Sequence, residues 1–388
     1  MATNYGGYMG RILLIDLTKE TATEYPWTDA QREETLGGKI LANRILLDHL
    51  TGEEDPFSEE NWLIVSTGPL TGIGAPSSVR FEITALSPKT GKMVSSNCGG
   101  SFGLHLKRAG FDAIILKGRC EGYRWIEIRD GHVLFHDAST LRGMKTSDCQ
   151  SCLKQIIADP FGSLCIGPAG EDLLTSATVI CDGKAVGRAG LGAVLGWKNV
   201  KAITASGNAG IPLCHPEETA SEIQRWVQLL KEHPITSDPQ KVSSCPGCPI
   251  RCKKPGKDAD PVLNDLGIDS MDAENHLPWL LHKHGVTLES TTGNKSGQRR
   301  SKLYHSILEI MNLQDCDEVY WAYQTLTDII SASGLCIFAV VACLNTGHDG
   351  TYFPISDRLP QLLQSCTGMH FPTKTLTSAE LYNQKQGS

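Results

Sequence analysis

Hydrophobic and polar residues alternate in short runs along roughly the first 207 residues, and this pattern predicts strands separated by turns. Strands are predicted in RILLIDLT (11–18), DAIILKG (112–118) and VKAITASG (200–207). YRWIEIRDGHVLFHD (123–137) predicts a hairpin that turns at Asp130 and Gly131. Residues 37–50 and 145–158 instead have apolar positions at helical spacing. The pattern therefore predicts a β-rich domain with interspersed helices over residues 1–208.

The second part of the chain, residues 212–388, is predicted to be a reduced helical region. In YWAYQTLTDIISASGLC (320–336) the apolar side chains Trp321, Leu326, Ile329 and Ile330 fall on one helical stripe. Gly334 then breaks the pattern, and a glycine at this place suits a left-handed helix C-cap. The overall expectation is an α+β protein.

Composition and charge exclude some classes of function. The 388 residues are 40% hydrophobic and 20% charged, as in an ordinary globular protein, and the formal net charge is −7. This charge gives no basic field for nucleic acid or for an acidic membrane surface. There is no run of eighteen or more apolar residues and no secretory signal pattern, so we expect a cytoplasmic protein without a membrane span.

The most distinctive chemistry lies in SSCPGCPIRCKKP (243–255), where Cys245, Cys248 and Cys252 follow a CxxCxxxC spacing. A CxxC turn brings two thiolates onto one ion, and the third cysteine can close over the same group. Zinc sites normally add a second Cys or His pair, and none follows here. A [4Fe–4S] cluster with one remote cysteine is the favoured interpretation. Zinc stays open as the alternative.

Four downstream cysteines are candidates for the remote ligand: Cys316, Cys336, Cys343 and Cys366. Cys336 is favoured because it follows the break at Gly334 and is therefore expected on a loop at a helix end. Other cysteines stand alone in apolar runs and are expected to be small buried hydrophobes: Cys120, Cys165 and Cys181. Cys149 and Cys152 form a second CxxC on the predicted helix at 145–158, with no partner evident in the sequence.

Three glycine-rich segments are predicted to be loops: 66–80, 95–103 and 182–196. Glycine lets backbone amides approach an anion closely, and Arg80 and Arg188 add fixed charge with forked donors. The third segment contains GxGxxxG, which differs from the dinucleotide-binding pattern. Together the loops favour a phosphorylated cofactor over plain turns.

The chain resembles the aldehyde:ferredoxin oxidoreductase family, the tungsten or molybdenum pterin enzymes. The resemblance runs almost continuously from residue 6 to residue 207, through motifs such as GPLTGIGAPSSVRFEITALSPKTG (68–91), NCGGSFGLHLKRAGFDAIILKG (97–118) and DGKAVGRAGLGAVLG (182–196). It continues in CPGCPIRC (245–252), LNDLGIDSM (263–271) and SASGLCIF (331–338). The order of these motifs is the family's order.

The resemblance implies a base of two similar sheets that carries a tungsten (or molybdenum) bis-pterin, with magnesium bridging the pterin phosphates. It implies oxidation of an aldehyde to a carboxylic acid, with electrons leaving through the [4Fe–4S] cluster to ferredoxin or a similar acceptor. Magnesium would be held by the backbones of Asn97 and Ala185, and Cys336 would be the fourth cluster ligand. The implied cofactor contacts are Arg80, Asn97, Gly99, Lys184, Ala185, Gly187, Arg188, Asn264, Asp269, Ser331 and Leu335.

The departures from the family pattern are also informative. Lys184 replaces an arginine, while Asn264 and Ser331 each replace an aspartate that opens a helical motif. The segments that carry the family's acid–base residues are missing, so no catalytic residue can be named. His282, His284 and Glu289 are alternative proton-transfer groups, but they are expected to be exposed, solvated residues.

So short a helical region would leave the pterins partly open to water, so either a completing subunit covers them or the site is leaky. The resemblance also implies a homodimer, which is common in the family. The alternative is a catalytically incomplete cofactor-binding, electron-transfer or scaffold protein, or a degenerate relative without function. The sequence does not choose tungsten over molybdenum, since the protein supplies no direct ligand to that metal. It does not name the aldehyde, since the pocket-lining segments are the missing ones.

Overall fold

The computed structural model of the chain describes residues 3–232, 261–269, 327–336 and 354–370. The strands of the first sheet are β1 (Ile12–Asp16), β2 (Thr21–Tyr25), β3 (Leu63–Thr67), β4 (Phe81–Leu86), β5 (Met93–Cys98) and β6 (Ala113–Lys117). Those of the second are β7 (Arg124–Arg129), β8 (His132–Asp137), β9 (Gly162–Ile166), β10 (Val179–Cys181), β11 (Lys184–Val186) and β12 (Val200–Ser206).

The helices that the structure describes lie between and after these strands. They are α1 (Asp29–Thr35), α2 (Gly38–His49), α3 (Phe102–Arg108), α4 (Thr146–Ile156), α5 (Pro168–Glu171), α6 (Leu191–Trp197), α7 (Pro216–Glu232), α8 (Pro261–Leu266) and α9 (Pro354–Thr367). Residues 327–332 are also helical. The predicted α+β class with two similar sheets is confirmed, whereas the predicted cluster loop lies outside the described residues.

The two sheets have the same topology. The first has the strand order β2-β1-β6-β3-β4-β5, and the second, read from its far edge, has the order β8-β7-β12-β9-β10-β11. In each sheet one pair is parallel, β1 with β6 and β7 with β12, and all other pairs are antiparallel. The helices follow the same plan, because α2 and α4 precede the third strand of their halves and α3 and α6 precede the last. Residues 12–206 are therefore an internal duplication.

The two sheets share one central core. Alternate residues of β1 and β6, such as Ile15 and Ile114, point into this core, and α3 and α6 contribute Phe102 and Leu195 to it. The opposite face of the first sheet is covered by α2, and that of the second sheet by α4. Burying a side chain of this size contributes about 1.5–3 kcal/mol, so this core stabilises the packing of the two sheets against each other.

Several local predictions are confirmed and two are corrected. The hairpin turns at Asp130 and Gly131, which both have positive φ angles, as expected. Residues 191–197 form helix α6 rather than the end of a loop, because their apolar side chains enter the central core. In the described part of the chain, no helix is long and apolar enough to cross a membrane.

The second correction concerns Cys149, for which the sequence showed no partner. Cys120, Cys165 and Cys181 are buried, as predicted. The thiol of Cys165 is hydrogen-bonded to that of Cys149, and the thiol of Cys181 to that of Cys98. The sequence pattern does not reveal these cysteine pairs, because the two members of each pair lie on different helices or strands.

Candidate functional site

Helix α8 ends in a left-handed turn. Gly267 has a φ angle of +75°, and its N–H donates to the Asn264 carbonyl at 3.0 Å. The N–H of Ile268 donates to the Leu263 carbonyl at 2.8 Å. These two bonds are those of a glycine C-cap, and they place Asp269 immediately beyond the helix end.

Residues 327–336 end in the same way. Gly334 has a φ angle of +86°, as predicted, and its N–H donates to the Ser331 carbonyl at 3.0 Å. The N–H of Leu335 donates to the Ile330 carbonyl at 3.1 Å. The two helix ends are thus equivalent, and Cys336 takes the position that Asp269 takes in the other.

Each helix end docks on one half of the duplicated domain against a Gly-Pro pair. A Cβ on Gly68, which follows β3, would lie 2.2 Å from the carbonyl oxygen of Ala332. A Cβ on Gly167, which follows β9, would lie 2.4 Å from the carbonyl oxygen of Leu266. Real Cβ atoms do not approach so closely, so only glycine permits this docking at either site.

A second backbone contact fixes each helix end. The Gly267 carbonyl accepts the N–H of Thr178 at 2.7 Å, and the Gly334 carbonyl accepts the N–H of Arg80 at 3.2 Å. Thr178 and Arg80 each stand directly before the fourth strand of their half, β10 or β4. The duplication therefore extends to the helical segments, although the side chains at these matched positions differ.

The ends of β5 and β11, with the loops that follow them, carry four of the predicted cofactor contacts. Asn97 and Ala185 are the penultimate residues of these strands, and Gly99 and Gly187 follow the strands directly. Strands β5 and β11 contact each other. The two predicted magnesium-binding backbones, those of Asn97 and Ala185, therefore occupy equivalent positions in the two halves.

Positive charge from both halves meets at the junction of the sheets. A hydrogen bond with Cys181 and the charges of Arg80 and Lys184 lower the pKa of the buried Cys98 thiol to about 7. Close packing accompanies this pairing, because a Cβ on Gly100 would lie 2.2 Å from the Cys181 sulfur. Arg80 of the first half and Lys184 of the second thus both act on the Cys98 thiol.

Arg188 and Asp269 form an ion pair in the second half, with 3.7 Å between Nε and Oδ2. Asp269 is buried, whereas the Arg188 side chain is 47% exposed. The side-chain amide of Asn264 donates to the Gly183 carbonyl at 3.4 Å. The first helical motif is therefore tied to the loops that flank β11.

Glu82 is a site residue that the sequence analysis missed. It is 1% exposed, accepts a 2.7 Å hydrogen bond from the Asn97 side-chain amide and accepts another from the Ser331 hydroxyl. Burial raises the pKa of this carboxyl above its usual value. The sequence contains one signal for this residue, because Glu82 is a single acidic residue inside the otherwise largely apolar strand FEITAL (81–86).

The structure divides the predicted site residues into two groups and leaves three undescribed. Arg80, Asn97, Gly99, Ser331, Leu335 and Cys336 belong to the first half of the duplication, and Lys184, Ala185, Gly187, Arg188, Asn264 and Asp269 to the second. Cys336 is 6% exposed. Cys245, Cys248 and Cys252 lie outside the described residues. Within the described ranges, no three His, Cys, Asp or Glu side chains converge as metal ligands.

The chemistry of this donor set suits an anionic, nitrogen-rich group. Three cationic side chains, Arg80, Lys184 and Arg188, stand at loops with glycine backbone, which is the composition of a phosphate site. Asn264 and Asp269 supply acceptors for ring N–H groups. The residues present therefore fit a group with phosphates and a heteroaromatic ring.

Comparison with family models identifies one domain. Residues 12–207 match the model described as "Aldehyde ferredoxin oxidoreductase, N-terminal domain". The chain is 36% identical over 233 residues to the tungsten-containing aldehyde ferredoxin oxidoreductase of Pyrococcus furiosus. It is 31% identical over 242 residues to the aliphatic sulfonate oxidoreductase, WOR-like subunit, of the same organism. These alignments cover 60% and 57% of this chain but only 38% of each relative.

A solved structure has a similar fold. The active-site complex BamBC of benzoyl coenzyme A reductase, solved with 1,5-dienoyl-CoA, aligns with a TM-score of 0.65. The alignment covers 91% of this chain and 65% of that one, at 21% sequence identity. At this identity the likeness concerns the fold alone.

Proposed function

Because this chain belongs to the aldehyde ferredoxin oxidoreductase family, we propose that it carries a tungsten (or molybdenum) bis-pterin and oxidises an aldehyde to a carboxylic acid. Electrons leave through a [4Fe–4S] cluster to ferredoxin or a similar acceptor. The domains are the pterin-binding domain, 1–208, and the helical domain with the cluster, 212–388. The alignments cover only 38% of each relative. The complete reaction, from aldehyde to electron acceptor, is therefore a proposal for this chain.

The observation that supports this function best is the duplicated cradle. Each half offers a glycine-bearing loop after its fifth strand and receives one capped helix end. A cofactor with two similar pterins needs two such similar half-sites. A duplication with matched helix ends provides them.

The cationic residues would hold the phosphates. Arg80 and Lys184 act together near Cys98, and Arg188 extends the charge into the second half. Lys184 supplies charge without the fork of an arginine, so it binds phosphate as a point charge. The carbonyl groups of Asn97 and Ala185 would complete a magnesium site between the phosphates, because magnesium prefers oxygen ligands.

The two helix ends would hold the rings. Asn264 and Asp269 would accept ring N–H groups in the second half, and Ser331 with the backbone of Leu335 would do so in the first. Cys336 follows Leu335 directly and would bind the cluster together with Cys245, Cys248 and Cys252. The Arg80 N–H donates to the carbonyl of Gly334, two residues before Cys336, and this contact supports a phosphate contact and a cluster ligand that lie close together.

The group, when bound, supplies the two-electron chemistry of aldehyde oxidation. The chain's own residues would bind and orient it. The alternative function is cofactor binding or electron transfer without catalysis. The replacements at Lys184 and Ser331 favour this alternative, because each weakens a predicted contact with the group.

Elemental analysis of anaerobically purified protein tests the proposal first. We expect about four irons and one tungsten or molybdenum per chain, followed by aldehyde-dependent reduction of ferredoxin or a viologen dye. Fully loaded protein that reduces neither with a panel of aldehydes leaves the alternative function. Zinc in place of iron contradicts the cluster assignment.

A further inference from the structure

Glu82 points away from the central core into a polar position beneath the first half-site. Its neighbours Phe81 and Ile83 are buried in the central core, so strand alternation turns Glu82 to the opposite face. There its carboxyl accepts hydrogen bonds from Asn97 of β5 and from Ser331 of the helix end. One buried side chain therefore joins the base to a segment almost 250 residues later in the sequence.

The fold does not require an acidic residue at this position. Arg80 and Thr178 are equivalent by their contacts with the two helix ends, which makes Ile180 the counterpart of Glu82. Ile180 is also 1% exposed, and it packs in an apolar cluster with Cys149 and Cys165. The same place in the duplicated fold is thus filled by a hydrocarbon in one half and by a carboxyl in the other.

Burying a carboxyl costs free energy unless hydrogen bonds compensate for the water it loses. Glu82 has two such donors, and the positive charges of Arg80 and Lys39 also act on it. Lys39 additionally forms an ion pair with Asp328, in the same helix as Ser331. Moving the helix end away would leave the carboxyl with one donor fewer, so Glu82 resists that movement.

We propose that Glu82 is a positioning residue that clamps residues 327–336 onto the first half-site, and thereby holds Asn97 and Ser331 in place for the cofactor. This inference rests on the proposed function. Glu82 itself is too deeply buried to touch the group, so it acts through its two partners. In the second half, the described helix end is held by Asp265, which accepts the Ser147 N–H at 3.0 Å, and by Asn264, which donates to the Gly183 carbonyl.

The test compares how long the metal stays bound in a set of variants. Anaerobically purified protein is dialysed against a chelator, and iron and tungsten or molybdenum per chain are followed over time beside the midpoint of thermal unfolding. Glu82→Ile copies the second half, and Glu82→Gln keeps an acceptor of the same shape. Ser331→Ala removes one partner, and the double variant Glu82→Ile/Ser331→Ala tests whether the two act as a unit.

Thr84→Val is the matched control. Thr84 lies two residues further along β4 on the same face, is fully buried, and shares its 2.8 Å hydrogen bond with Ser95 rather than with a site residue. It therefore reports a general disturbance of this buried polar face. If reduced stability alone caused the loss of metal, Thr84→Val would lose metal as fast as Glu82→Ile for the same fall in the unfolding midpoint.

We expect Glu82→Ile to shorten the half-life of the bound metal by about fivefold or more, and Ser331→Ala by about twofold. The double variant should match Glu82→Ile, while Glu82→Gln and Thr84→Val stay near the wild-type value. Wild-type retention in Glu82→Ile, or a full additional effect of Ser331→Ala in the double variant, overturns the inference but leaves the proposed function intact. Wild-type protein without tungsten or molybdenum overturns both.

Discussion

The backbone N–H of Arg80 donates to the Gly334 carbonyl across 3.2 Å, which joins the base of the protein directly to the helix end that carries Cys336. In the second half, Thr178 makes the matching contact with Gly267. The contact is thus part of the duplicated fold, but only the first half has an arginine in that position. We infer that the two halves share their architecture and differ in electrostatic function.

The backbone of Gly68 lies so close to Ala332 that adding one methyl group should destabilise the protein. Gly68→Ala would place a Cβ 2.2 Å from the Ala332 carbonyl oxygen, so the helix end must move away from the base. We expect the unfolding free energy to fall by about 1–3 kcal/mol and iron content to fall with it. Chemical denaturation and iron analysis measure both.

Gly210→Ala is the control for this substitution. A Cβ on Gly210 meets no atom within 4 Å, so this variant should behave like wild type. Equal stability and equal iron content in the two variants would show that the helix end does not depend on the close contact at Gly68.

Cluster ligation predicts that two cysteine substitutions differ. Cys336→Ser should lower bound iron, because a serine oxygen is a poor substitute for a thiolate at an iron–sulfur cluster. Cys343→Ser should leave iron unchanged, because Cys343 ends the apolar run CIFAVVAC (336–343), a sequence pattern that predicts a helix rather than a ligand loop. Iron analysis and the cluster's absorption spectrum provide the measurement. The same iron content in both variants rejects Cys336 as the fourth ligand.

Replacing Lys184 by arginine is expected to improve cofactor retention. Lys184→Arg restores a planar fork that can bind a phosphate with two parallel hydrogen bonds. We expect the half-life of the bound tungsten or molybdenum to lengthen by about twofold to tenfold in chelator dialysis. Lys154→Arg on the exposed face of α4 is the control. A shorter half-life in Lys184→Arg than in this control contradicts a phosphate role for residue 184.

Lys198 predicts a pH dependence of stability. Its ammonium is fully buried, where Nζ donates to the Gly118 carbonyl at 3.0 Å, and burial lowers its pKa to about 7 from the usual 10.5. Between these two values the unfolded chain binds more protons than the folded one, so the free energy of unfolding rises with pH. The rise is at most about 1.4 kcal/mol per pH unit from this group.

Guanidinium unfolding at pH 7 and pH 9 measures this effect. Lys198→Met should remove part of the rise, while Lys154→Met, at an exposed lysine, should keep it. Equal slopes in wild type and Lys198→Met would show that the Lys198 ammonium stays protonated in the folded protein throughout this range.

The local pattern of residues was sufficient to predict most of the helices, strands and turns discussed above. The hairpin at Asp130 and Gly131, the helix at 145–158 and the break at Gly334 each depend on neighbours within a few residues, so periodicity and turn chemistry reveal them. Residues 191–196 were predicted as loop because Gly190, Gly192 and Gly196 mask a short buried helix. What forms this helix is its position between two sheets, which no local window contains.

The sequence by itself determined the family, the order of the motifs and the residue types that could hold a phosphorylated cofactor, since these are written in contiguous segments. Only the tertiary structure decided how the two halves correspond, which helix end meets which Gly-Pro pair, and that Glu82 joins Asn97 to Ser331. These relationships unite residues far apart in the chain. Their distances depend on the packing of the whole duplicated core, and that packing is a property of many side chains acting together.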